Sequence, residues 1–126
     1  MIENLVWFAL CIYFEAMGEQ QEGQVAVGHV IMNRVEKTGK SMKDVIIKPW
    51  QFSWLNQNRP PVKDYDAFIK CVHAAYVCLE ERLDGKDLWG ADHYFNPALA
   101  NPSWARDPKK MRFVIEIGGH KFFKAI

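Results

Sequence analysis

The sequence is poor in the residues that staple small proteins or hold metals. Three of its 126 residues are cysteine: Cys11, Cys71 and Cys78. Three cysteines build no disulfide framework. Cys71 and Cys78 are seven positions apart, which on one helix is about 10 Å of axial rise, too far to bridge. They read as small buried hydrophobes of a protein made in a reducing compartment. HExxH and CxxC spacings are missing and the four histidines are scattered, so neither a metal nor a cofactor site is expected. The net charge is +1, so no global field advertises nucleic acid or membrane as partner. The longest apolar run, residues 5–14, is too short to span a bilayer. Glu3 precedes it and no Lys or Arg does, unlike a secretory signal. The expectation is a chain made in the cytoplasm without its own signal peptide and not stably inserted in a membrane. Repeats and low-complexity tracts are also missing.

What remains is ordinary globular composition, 49% hydrophobic and 25% charged, in a length that suits one domain over residues 1–126. Glu3, Glu15, Glu19 and Glu22 come before the first basic residue, Arg34. The last stretch carries Arg106, Lys109, Lys110, Arg112, Lys121 and Lys124, which reads as a solvated basic edge.

The pattern predicts a first helix from about Glu3 to Met17, with Asn4 as a possible cap and Gly18 as the break. A second helix starts near Gln21–Glu22 and runs to about Lys37, before Thr38-Gly39-Lys40. Ser41 and Asp44 loosely match a capping box for a short helix through Ile47, stopped by Pro49. A third long helix opens at Asp64 or Tyr65 and ends at Asp84-Gly85. Phe68, Ile69, Val72, Tyr76, Leu79 and Leu83 follow a three-to-four spacing, which predicts its packed face. Residues 49–61 and 87–110 have no period and read as long functional loops. Met111, Phe113, Ile115 and Ile117 alternate with Arg112, Val114 and Glu116, and Gly118-Gly119 joins them to His120-Lys-Phe-Phe as a β-hairpin. The fold class is α+β, mainly helical, with a small antiparallel element near the C-terminus.

Glu15 stands out within this pattern. It is the only charged residue in residues 5–17, near the end of an almost wholly apolar helix. Apolar surroundings disfavour the charged carboxylate and raise its pKa, and a helix C-terminus pushes the same way. A carboxyl kept protonated near neutral pH suits a general acid. Cleaving a glycosidic bond needs such an acid and something to stabilise an oxocarbenium-like centre. Glu19, at i+4, would share a helical face with Glu15 and serve as a supporting or second carboxylate; it also reads as an ordinary loop carboxylate.

Gln51, Phe52 and Ser53, followed by Trp54, mix aromatic faces with amide and hydroxyl groups, as a sugar site requires. The same aromatics read equally as plugs for the core. His93 and Tyr94, with Trp104 downstream, could bind a sugar or orient the acid, or be structural loop residues. His29 reads as a satisfied core histidine and His120 as structural. Asn33 and Arg34 read as braces for the loop after Glu15.

These segments resemble the cell-wall hydrolase family that includes the spore-cortex-lytic enzymes. The resemblance begins at Ile-Tyr-Phe-Glu15-Ala-Met-Gly18-Glu19, close to that family's Glu-Ala-Arg-Gly-Glu signature. It continues through Glu22-Gly-Gln24 to Asn33-Arg34-Val35, then Gln51-Phe52-Ser53, Gly90-Ala-Asp-His93-Tyr94, Pro102-Ser-Trp104 and Ile117-Gly-Gly-His120-Lys-Phe122. The ordered set covers nearly the whole chain. It implies a lysozyme-like, lytic-transglycosylase-like fold acting on peptidoglycan glycan strands, with Glu15 as catalytic acid. In such enzymes one carboxyl protonates the bond between N-acetylmuramic acid and N-acetylglucosamine, then acts as base while a 1,6-anhydro ring closes, without metal. Met17 replaces the family's usual Arg, which leaves open how Glu19 is held.

The expected setting is a minimal, monomeric phage endolysin acting on the wall after release. The alternatives are a muramidase hydrolysing the same bond, a spore-cortex germination enzyme, and a non-catalytic wall-binding or virion structural protein.

Overall fold

The computed structural model describes residues 2–48 and 61–126. Helix α1 (Ile2–Ala16) is followed by α2 (Gln21–Thr38), the short α3 (Met42–Ile47) and the long α4 (Tyr65–Leu83). The strands are β1 (His93–Phe95), β2 (Met111–Ile117) and β3 (His120–Ala125). They form an antiparallel sheet in the order β1-β3-β2. Helices α1, α2 and α4 pack on one another, α3 closes against α1 and α2, and α2 meets the sheet through β1 and β2.

The helix ends follow the local chemistry. Gly39 takes φ +69°, and its N–H bonds Val35 O to close α2. Ser41 caps α3 by accepting from Asp44 N, and Asp64 caps α4 by accepting from Ala67 N. Helix α1 begins at Ile2, so Asn4 lies inside it and does not cap it. The helix stops at Ala16, and Glu19 N folds back onto Ala16 O, so Glu19 has left the helical face that carries Glu15.

The packed face of α4 is only partly the one its large apolar residues predict: Phe68 packs against the core and meets Tyr13 edge-on at 5.9 Å. Cys71, Ala74, Ala75 and Cys78 are buried, while Ile69, Tyr76, Leu79 and Leu83 face outward. Small residues let the helices approach closely, and Gly28 of α2 sits against Phe8 and Cys78. The core gathers Phe8, Ile12, Val27, Val30, Ile31 and Ile46 with the three free thiols, and Phe122 enters it from the sheet. Burial pushes the Cys71 thiol up to about 11 and the Cys78 thiol up to about 12.

Residues 87–110, expected to be a loop, contain β1 and short 3-10 turns at Leu88–Gly90 and Ser103–Arg106. In β2 the register slips between Phe113 and Ile115, so the expected alternation breaks and Phe113 is largely exposed. Gly118, at φ +56°, makes the turn to β3. Of the basic edge, Arg106, Lys109, Lys110 and Arg112 are exposed as expected, while Lys121 and Lys124 on β3 are half-buried.

Candidate active site

Glu15 is in the last turn of α1, half-buried, where four elements converge. Tyr94 of β1 donates its hydroxyl proton to Glu15 Oε1. Arg34 of α2 and His120 at the start of β3 lie close enough to act on its charge. Burial raises the Glu15 pKa above the usual carboxylate range. The Tyr94 hydrogen bond, Arg34 and His120 act in the opposite sense without cancelling it. The carboxyl is thus kept protonated to higher pH, and cationic and hydrogen-bonding groups are in place for the moment it ionises.

Tyr94 is well suited to its part. Its ring meets His120 edge-on at 5.2 Å and Phe122 at 5.7 Å, which fixes its direction. Burial, followed by the nearby Glu15 charge, pushes its phenol well above the usual range, so it remains a donor. Arg34 Nε donates to Asp92 O at 2.8 Å. Burial lowers its pKa, and the surrounding anionic groups oppose this.

His93 is not brought to Glu15. Successive strand residues point to opposite sides, so His93 and Tyr94 cannot line the same face of the site. His93 Nδ1 lies 2.8 Å from Asp92 Oδ1, and its ring packs on Trp104 at 5.1 Å. Asp92, which in the sequence stands out only as part of the stretch 90–94, anchors this region. It also accepts from Lys37 Nζ at 3.1 Å and from Ala125 N at 2.9 Å. Burial is the largest influence on Asp92 and pushes its pKa up, but these bonds together bring it below the usual value. Arg34, His93 and Asp92 share a hollow of about 230 Å³ with Lys37, Lys40 and Lys48. Gln51, Phe52 and Ser53 lie outside the described residues.

Glu19 has a separate task. Its Oε1 accepts from Gly119 N at 2.9 Å and lies 3.1 Å from His120 Nδ1. Met17, at the position of the family's usual Arg, is exposed. Glu19 is thus held by the β2–β3 turn. His120, read as structural, is buried between Glu19 and Tyr94 and closer to the site than expected. His29 is the satisfied core histidine expected: Nε2 meets Glu81 Oε1 at 2.8 Å and Nδ1 meets Arg82 at 3.2 Å. Asn33 braces a different loop from the one expected, donating to Asp87 O and Ala91 O at 2.8 and 2.7 Å. A hollow of about 500 Å³ between α2, α4 and β2, rimmed by Trp89, does not include Glu15. Among the described residues no cluster of three or more His, Cys, Asp or Glu gathers as a metal site would need, and no helix is long and apolar enough to cross a membrane.

The mainly helical α+β fold is that of the catalytic domains of SleB proteins. The domain from Bacillus cereus superposes with a TM-score of 0.78 at 27% identity, covering 98% of this chain and 91% of that one. The catalytic domain of the germination-specific lytic transglycosylase SleB from Bacillus anthracis gives 0.74 at 27% identity, covering 96% and 93%. Residues 18–123 match the family model described as Cell Wall Hydrolase, and the chain belongs to that family. The spore cortex-lytic enzyme of Halalkalibacterium halodurans is 32% identical over 117 residues, which are 90% of this chain and 32% of that protein. That of Oceanobacillus iheyensis is 32% identical over 92% of this chain and 40% of its own length. The chain therefore spans about a third to two-fifths of the length of these relatives.

Proposed function

We propose that this chain is the catalytic domain of a peptidoglycan lytic transglycosylase in which Glu15 serves first as acid and then as base. The observation that carries the reading is the half-buried Glu15 carboxyl, with its raised pKa, held by Tyr94 and near Arg34 and His120. Protonated Glu15 gives its proton to the glycosidic oxygen between N-acetylmuramic acid and N-acetylglucosamine as the bond to the muramic C1 breaks. The Glu15 carboxylate then takes the proton from the muramic 6-hydroxyl as O6 bonds to C1, closing the 1,6-anhydro ring. The Tyr94 bond and the Arg34 charge stabilise the carboxylate between the two transfers. Glu15 lies three residues before the segment matched by the family model, so its assignment rests on this geometry and on the resemblance of its own signature.

A hydrolytic muramidase would need a second carboxylate to activate water or form a covalent intermediate. Glu19, the candidate, is engaged with Gly119 and His120. This supports the single-carboxyl route. The relatives favour spore-cortex peptidoglycan as the substrate setting over phage-induced lysis. Action on the wall follows from either.

Mass spectrometry of glycans released from purified peptidoglycan tests the reading. Anhydro ends, lighter by one water than reducing ends, are expected. Glu15→Gln should fold normally and lose activity by roughly 100-fold or more. Reducing ends would instead establish hydrolysis, and undiminished release by Glu15→Gln would remove Glu15 from the reaction.

A further inference from the structure

Helix α4 carries two stripes, and among the described residues one of them faces the core while the other is largely exposed. Cys71, Ala74, Ala75 and Cys78 face the core. On the outer side Tyr65, Ile69, Val72, Tyr76, Leu79 and Leu83 run the whole length of the helix. Their steps of four and three alternate as the a and d positions of a heptad do. Val72 is half-buried, while Tyr65 is 73% exposed, Ile69 64%, Tyr76 58%, Leu79 36% and Leu83 88%. Scattered single apolar residues on a surface need no explanation, but a continuous seam does.

We propose that this seam is the interface of an antiparallel homodimer, formed by α4 against α4 of a second copy. The order of steps, four-three-four-three-four, is the same read from either end. A second copy run in the opposite direction therefore presents the same seam, as a two-fold interface requires. With the two-fold axis at Ala74, Tyr65 meets Leu83 of the second copy, Ile69 meets Leu79, and Val72 meets Tyr76. No charged residue belongs to these pairs, and their polar atoms are the hydroxyls of Tyr65 and Tyr76, whose length lets them reach the solvated rim. Asp66, Lys70, His73 and Glu80, all exposed, lie along one flank as a polar rim.

Area supports the same occupant. With about 200 Å² for each large side chain, the fractional exposures leave on the order of 600 Å² on each seam. Two copies would then bury on the order of 1,200 Å² in total, the lower end of the range for stable interfaces. The proposed dimer departs from the monomer expected from the sequence. It is independent of the reading of Glu15.

Sedimentation equilibrium on the intact chain tests it. The expected result is twice the chain mass at about 100 µM, a concentration high enough to populate the dimer even for an interface at the weak end of the specific range. Ile69→Lys alone and Leu79→Glu alone should each sediment as a monomer with unchanged helix content, since both positions are on the outer face. Mixed in equal amounts they should recover the dimer mass, because position 69 of one copy faces position 79 of the other. A wild-type monomer at that concentration overturns the proposal, whether or not another partner binds the seam. Dimeric single variants, or a mixture that stays monomeric, overturn the seam or its antiparallel register.

Discussion

Glu15 and Tyr94 pull one proton in opposite directions. Burial raises the Glu15 pKa, and the bond donated by Tyr94 limits the rise. Tyr94→Phe removes that limit, so Glu15 should hold its proton to higher pH. The protonated form is the one that starts the proposed reaction, and activity is lost as pH rises through the Glu15 pKa. The alkaline limb of the pH–rate profile should therefore move up in Tyr94→Phe. Its maximal rate should fall by about ten- to a hundred-fold, the value of one hydrogen bond to a charged group. Wall clearance measured across pH reads both effects, and an unmoved limb would assign it to another group. Glu15 itself was legible in the sequence because it is one charge in an apolar run. Its partners were less so. Tyr94 is 79 residues away and was one of several aromatics in an aperiodic stretch. The contact between Glu19 and His120 spans 101 residues and leaves no local signature.

Helix boundaries were the most legible elements, because caps are local chemistry: Ser41, Asp64 and Gly39 act where the sequence places them. The buried face of α4 departs from its large-residue periodicity for a physical reason. Large apolar residues dominate a periodicity argument, yet this helix packs through cysteine and alanine, which gain contact by close approach. Strand β1 was invisible because three residues are too few to establish alternation. The close approach can be tested at Gly28. A Cβ there would stand 3.1 Å from both Cys78 Sγ and Phe8 Cζ, where α1, α2 and α4 meet. Gly28→Ala should lower stability by about 1–3 kcal/mol through overpacking. A shift in denaturant midpoint at constant m-value would measure it, and no shift would mean that the helices separate freely at this point.

For the whole molecule, what matters is how the helices hold the sheet. Polar contacts span the join: Glu15 to Tyr94, Glu19 to Gly119, Arg34 to Asp92 O, and Asn33 to the backbone at 87 and 91. The site is built across this join, so its geometry depends on contacts that do no chemistry. Glu19→Ala takes its partner from the half-buried N–H of Gly119 and should cost about 1 kcal/mol. Faster hydrogen exchange at the Gly119 and His120 amides, with slower glycan release, is expected. Unchanged exchange would make Glu19 a bystander. The order of the segments was readable from the sequence, but the join was not, because every contact in it links residues far apart in the chain.

The buried thiols have a consequence for where such a molecule can work. With pKa values of about 11 and about 12, Cys71 and Cys78 are thiolate in only about one molecule in ten thousand, or fewer, at neutral pH. Thiolate is the species that oxidants and other disulfides attack. A domain acting on the wall leaves the protection of glutathione, and here neither thiol offers a handle for cross-linking or mispairing. Tight packing of α4 thus gives chemical inertness without any need to dispense with cysteine, which the proposed action on the wall would call for.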